Sequence, residues 1–179
     1  MTYITDVMLK PFEEFEKGMQ ELIEEFVQHK KVGKKLFFIG NGGSAAIAIH
    51  NTADFMKNGG MKTVSMYDGA TLTCLGNDYG YEHVFEKQIA RLGDEEDMLV
   101  AISSSGNSSN IVKGITAALD RNMKVVTFSG FETHNAIRQM GNYNVYVPCK
   151  QYGIVESIHG MLLQAIVDMV SEWNEADDE

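Results

Sequence analysis

Apolar and polar positions along this chain fall into blocks whose period switches between helical and strand-like. Phe12, Phe15, Met19, Leu22, Ile23, Phe26 and Val27 recur at helical spacing among Glu and Lys, which predicts a long amphipathic helix that Pro11 starts or kinks. Its apolar stripe needs cover, from its own sheet or from another subunit. Residues 36–39 form a short apolar run that ends in Gly40-Asn41-Gly42-Gly43-Ser44 and resumes as a small-residue helix through Ala45, Ala46, Ala48 and Ala53. Residues 98–102 repeat the theme. This second run, bounded by acidic and Ser/Gly clusters, fits a strand buried on both faces, and Ile111, Ile115 and Ala118 follow at helical spacing. Residues 63–66, 124–128 and 143–147 predict three more strands, the last closed by Pro148. Helices are expected over residues 72–80, ending in a turn, over 82–92, and from about Thr133 and Gly153. The last of these carries Val155, Ile158, Leu162, Leu163, Ile166, Met169 and Val170 as its apolar face.

Strands alternating with helices predict an α/β fold, a doubly wound five-stranded parallel sheet flanked by helices, flavodoxin-like, with an N-terminal amphipathic helix. Ligands in such sheets bind at the carboxyl ends of the strands. A length of 179 residues at 44% hydrophobic suits one domain: a leading helix over 1–33, a core over 34–173 and an acidic tail over 174–179. A net charge of −10 disfavours extended contact with nucleic acid or an anionic membrane, so any phosphate site must be built locally. Cys74 and Cys149 make no disulfide framework, and no leader pattern opens the chain, which points to a reducing cytoplasm. No run of 18 apolar residues offers a membrane span.

Candidate chemistry collects at the two strand–turn–helix units. Ser103, Ser104, Ser105, Ser108 and Ser109 supply hydroxyls around Gly106, where backbone N–H groups at a helix start converge on one point. That composition makes an anion cradle, most simply for a phosphate; alone, such serines also serve as helix caps. The Gly-rich turn allows close backbone approach, and Asn41 and Ser44 add donors. G-x-G-x-x-G is absent and the turn lacks the Lys-Ser/Thr of a P-loop, so no nucleotide cofactor is expected. His50 and Asp54 stand four apart on one helix face, as a metal pair, an acid/base pair or a surface hydrogen bond. On the final helix Glu156, His159 and Gln164 add a carboxylate, an imidazole and an amide.

Three motifs in order, Gly40-Asn41-Gly42-Gly43-Ser44, Gly76-Asn77-Asp78-Tyr79-Gly80-Tyr81-Glu82 and Ile102-Ser103-Ser104-Ser105-Gly106-Asn107-Ser108, resemble the sugar isomerase (SIS) domains, in particular their phosphoheptose isomerase branch. The similarity runs from about Leu36 to Val170. It implies a cytoplasmic homotetramer with sites between subunits that converts sedoheptulose 7-phosphate to a heptose 7-phosphate. Ser103, Ser104, Ser105 and Ser108 match the phosphate cradle, and Asn41, Gly42, Gly43, Asn77 and Asp78 match sugar contacts. His50 matches the first metal-ligand histidine, which implies zinc or another divalent ion held by His50, Asp54, Glu156 and Gln164.

The chain departs from the family at this metal site. Asp54 stands where the family has Glu, Glu156 where it has Gln, and Gln164 where it has a His that is both zinc ligand and acid/base; the loop before Glu156 is one residue shorter. A Gln amide is no general acid or base near neutral pH. The resemblance therefore leaves Asp54 and Glu156 as the candidate bases, with His159 or His83 as sources of the missing imidazole. An aldose–ketose isomerisation needs a base for carbon, a proton shuttle for oxygen and an electrophile for the enediolate. Other members of the family point to two alternatives: a non-catalytic adaptor of a replication initiator or sensor of sugar phosphates, and an isomerase of another sugar phosphate.

Overall fold

Each strand of the central sheet sends alternate side chains to opposite faces, and both faces are apolar. Leu36 and Phe38 of one strand pack into one buried cluster while Phe37 and Ile39 pack into the other. The computed structural model describes residues 10–172, with side chains from residue 18 onward, so the acidic tail and the side chains of Phe12 and Phe15 lie outside the described residues. The order is α1 (Lys10–Val32), β1 (Lys35–Ile39), α2 (Gly43–Lys57), β2 (Lys62–Val64), α3 (Gly69–Tyr79), α4 (Val84–Leu92), β3 (Met98–Ser103), α5 (Ser109–Leu119), β4 (Lys124–Ser129), β5 (Tyr143–Tyr146) and α6 (Tyr152–Glu172).

All strand pairs are parallel, in the order β2-β1-β3-β4-β5. The connections leaving β1 and β3, which are neighbours, run in opposite directions, and this switch point opens a crevice at the carboxyl ends of both strands. The expected α/β fold is what forms. Helices α1, α2 and α6 cover one face, with Phe26, Phe55, Ile158, Leu162 and Ile166 buried; α4 and α5 cover the other with Phe85, Ile89, Ile111 and Ile115. Phe55 links three elements, its ring centroid 5.3 Å from both Phe26 and Phe38. Glu25 ties α1 across the sheet end through an ion pair with Lys124 and a hydrogen bond from the Tyr143 hydroxyl at 3.1 Å.

Four sequence expectations need adjustment. No α-helix starts at Thr133; the segment holds only a 3-10 turn at Ile137–Gln139. Helix α3 begins earlier than expected because Asp68 caps it, accepting from the Thr71 N–H at 2.8 Å. Tyr81–His83 is a 3-10 turn ahead of α4. Strand β2 ends at Val64, although Met66 beyond it is fully buried. Helix α6 is long and apolar enough by composition to cross a membrane, yet half of that stretch is buried in this core.

Candidate functional site

At the switch point the two turns meet in a cleft of about 220 Å³ whose wall includes Asn41, Gly43, Ser103, Ser104, Ser108 and Glu156. Both helices that follow the turns start here. Neither α2, whose N-cap is Gly42, nor α5, whose N-cap is Ser108, has an N-cap side-chain bond, so the N–H groups of Gly43 and Ser44 and of Ser109 and Asn110 are left for a ligand, the next ones, of Ala45 and Ile111, being already bonded. Ser103 and Ser104 are 5% and 3% exposed. Ser103 Oγ accepts from the Gly106 N–H at 3.2 Å and lies 3.4 Å from Ser108 Oγ. Ser104 Oγ is buried without a hydrogen-bond partner among the described residues. A buried hydroxyl left unpaired is costly unless a ligand satisfies it, and an anion between two helix N-termini would. Gly106 has φ +66°, and a Cβ there would lie 2.1 Å from Asn135 Oδ1, so this turn needs glycine.

A second cleft, about 520 Å³, continues from the first and is lined by Gly43, His50, Asn51, Glu156, Gly160 and Gln164 among others. Gly43 and Glu156 belong to both. A Cβ on Gly43 would sit 2.4 Å from Glu156 Oε2, so it is the missing side chain that admits the carboxylate to the junction. His50 Nε2 lies 3.1 Å from Asp54 Oδ2, which also accepts from Gln164 Nε2 at 3.0 Å; Gln164 donates to Asn51 Oδ1 as well, at 3.3 Å. Helices α2 and α6 thus bring together His50, Asp54 and Gln164, with Glu156 lining the same cleft. Among the described residues no three His, Cys, Asp or Glu side chains form a metal-holding group. Of the metal donors the resemblance implies, His50, Asp54 and Gln164 lie together and Glu156 lines the same cleft; one imidazole, two carboxylates and an amide oxygen would make a harder set than two imidazoles.

Several sequence candidates are placed elsewhere. His159 is fully buried in the core, edge-on to Phe128 at 5.6 Å, its Nε2 donating to the Ser129 carbonyl at 3.1 Å while Nδ1 has no hydrogen-bond partner among the described residues. Burial lowers its pKa from 6.5 to about 4, partly offset by that carbonyl. It therefore supplies no imidazole to the cleft, a correction to the expectation that its position one turn from Glu156 would bring it there. His83 is also away from the cleft, in a cavity of about 800 Å³ between α4 and α5, paired with Glu86 and accepting from Lys113 Nζ at 3.0 Å. Asn77 and Asp78 sit on exposed α3, hydrogen-bonded to each other at 2.9 Å, and line neither cleft within one chain.

The side chain of Asn41 is used to join the two turns. Asn41 Nδ2 donates to Asn110 Oδ1, Asn110 Nδ2 donates to Asn41 Oδ1, both at 2.8 Å, and the Tyr81 hydroxyl gives Asn41 Oδ1 its second bond at 2.9 Å. Tyr67 holds the same turn by donating to the Gly40 carbonyl at 3.0 Å, and burial pushes its phenol pKa up, so it stays a donor. Asn110, Tyr67 and Tyr152, an exposed residue on the cleft wall, were not singled out from the sequence. Asn110 follows the serine cluster directly and Tyr67 follows a strand end, which is the only signal either carries.

A parallel sheet with an uncapped serine loop and glycine turn facing each other across its switch point is the arrangement of a sugar isomerase domain, and the SIS domain family profile matches residues 1–130. The chain belongs to this family, within its phosphoheptose isomerase branch. A phosphoheptose isomerase of Shewanella loihica is 31% identical over 177 residues, 94% of this chain and 90% of that one. The structure of the phosphoheptose isomerase from Neisseria gonorrhoeae superposes with a TM-score of 0.87 at 31% identity, covering 93% of this chain and 92% of that one. The corresponding structure from Francisella tularensis gives 0.87 at 27% identity, over 93% and 91%.

Proposed function

We propose that this protein isomerises sedoheptulose 7-phosphate to a heptose 7-phosphate through an enediolate. The observation that carries this reading is the position of Glu156 where the serine cradle joins the His50 cleft. A phosphate held at Ser103, Ser104, Ser105 and Ser108 would fix one end of the sugar, and the chain beyond it would run past Gly42 and Gly43 toward the carboxylate. No Lys or Arg lines the cradle among the described residues, so the phosphate charge is met by N–H dipoles and hydroxyls.

Glu156 is the better placed of the two candidate bases, because Asp54 already faces both His50 and Gln164. In this reading Glu156 takes the proton from one carbon and returns it to its neighbour, and Asp54 holds His50 and Gln164 in register. A divalent ion, zinc by the family pattern and manganese or magnesium by the hardness of the donors, would be held by His50, Asp54, Glu156 and Gln164. It would supply charge stabilisation for the enediolate oxygens. The active form is a homotetramer in the cytoplasm with each site completed at a subunit interface, which would give Asn77 and Asp78 of exposed α3 a sugar to contact.

Purified protein assayed on several ketose phosphates, after chelation and after return of zinc, manganese or magnesium, tests the reading. Activity on the seven-carbon substrate that chelator abolishes and one ion restores is the expected result. Substrate binding without turnover under every metal condition would favour a non-catalytic sugar-phosphate sensor.

A further inference from the structure

The Gly-rich turn and the Ser-rich loop leave neighbouring strands, but the chain between Asn41 and Asn110 is long, and their connections depart in opposite directions. What joins them beside the ligand cleft is a reciprocal pair of amides. Asn110 is 2% exposed, and its Oδ1 takes the Ile111 N–H at 3.0 Å as well as the Asn41 amide, so the same atom sets the start of α5 and the place of the turn. With Tyr81 added, Asn41 Oδ1 accepts two hydrogen bonds of 2.9 Å or less. Both acceptors are used twice, which fixes the orientation of each amide. Bonds of this kind away from water hold geometry more firmly than their net stability suggests.

We propose that Asn110 and Tyr81 are positioning residues which, through Asn41, set the distance between the phosphate-holding loop and the sugar-holding turn. The proposal rests on the sugar-phosphate reading above and adds to it a reason why both ends of the ligand must fit together. A ligand that occupies only the serine loop needs no such spacing. One that spans both loops does, and displacement of one loop by about 1 Å is enough to degrade a reacting geometry.

Calorimetric affinities for two probes, sedoheptulose 7-phosphate and inorganic phosphate, separate positioning from mere support of the fold. In Asn110→Ala, which also loosens the start of α5, we expect affinity for the sugar phosphate to fall about tenfold or more and that for inorganic phosphate to fall by no more than about threefold. Asn41→Ala should behave alike, and the double variant should bind no more weakly than the weaker single. Tyr81→Phe, at an exposed position, should lose about threefold for the sugar phosphate alone, and it decides the matter if Asn110→Ala does not fold. Equal losses for both probes, losses that multiply in the double variant, or wild-type sugar-phosphate affinity in these variants would overturn the positioning role. A wild-type protein that binds neither probe would instead remove the sugar-phosphate reading, and the positioning role with it.

Discussion

Glu156 owes its place to a neighbour without a side chain. Gly43 has an ordinary helical backbone and opens α2, so alanine there suits the helix, yet its Cβ would collide with the tip of a flexible carboxylate. We therefore expect Gly43→Ala to change the unfolding free energy by less than about 1 kcal/mol while lowering kcat/KM more than about tenfold. Chemical denaturation alongside turnover reads both; loss of fold together with activity, or retention of both, would contradict this role for Glu156. The cleft stripe on α6 was partly legible, because Glu156, Gly160 and Gln164 follow helical spacing. His159 was not, because three residues on from Glu156 is a turn of about 60° to the other side, away from Gln164, and there the core begins.

At the scale of elements, strands were legible wherever the sheet buries both faces. Strands β1, β3 and β4 read as apolar runs since Phe37, Phe38, Val100, Ala101, Val125 and Val126 all meet packed helices. The helix expected from Thr133 failed for a local reason. Asn135, 1% exposed, donates to the Ser129 hydroxyl and to the Gly130 and Glu132 carbonyls, and accepts from the Arg138 N–H, so its side chain stabilises a turn that competes with helix. The docking of α6 on β4 through His159 and Ser129 has a pH signature. His159 stays neutral in the fold down to about pH 4, whereas the unfolded chain takes up the proton below 6.5, so stability is full above 6.5 and falls as pH drops toward 4. The loss from this residue is at most about 3 kcal/mol. Buried His29, also shifted down by burial, acts in the same direction. Urea midpoints measured across this range should decline before the carboxylates protonate, and a His159→Leu variant should show a shallower decline; identical slopes would contradict the assignment.

For the whole molecule, one chain leaves much apolar surface uncovered. Helix α3 has no buried residue, and Ile49 and Met56 of α2, Met161 and Met169 of α6, and Tyr79 are all exposed. Met161 lines the His50 cleft; if neighbouring copies cover these surfaces and complete each site, light scattering at micromolar concentration should return a tetramer mass rather than a monomer. The net charge of −10 gives the protein no long-range pull on a phosphate, so recognition falls to the crevice at the switch point. That crevice was legible from two glycine- and serine-rich turns after apolar strands. The Asn41–Asn110 bridge within it was not, since residues so distant in sequence meet only through the sheet order.

The central claim is that the crevice moves a proton between adjacent carbons of a seven-carbon ketose phosphate. Incubating metal-supplemented protein with sedoheptulose 7-phosphate in D₂O and following the mixture by proton NMR tests it most directly. The account predicts new aldose phosphate signals, deuterium entering at the carbon next to the carbonyl, and loss of both in Glu156→Gln. Starting ketose that stays unchanged and fully protonated, or an equally active Glu156→Gln variant, would contradict it.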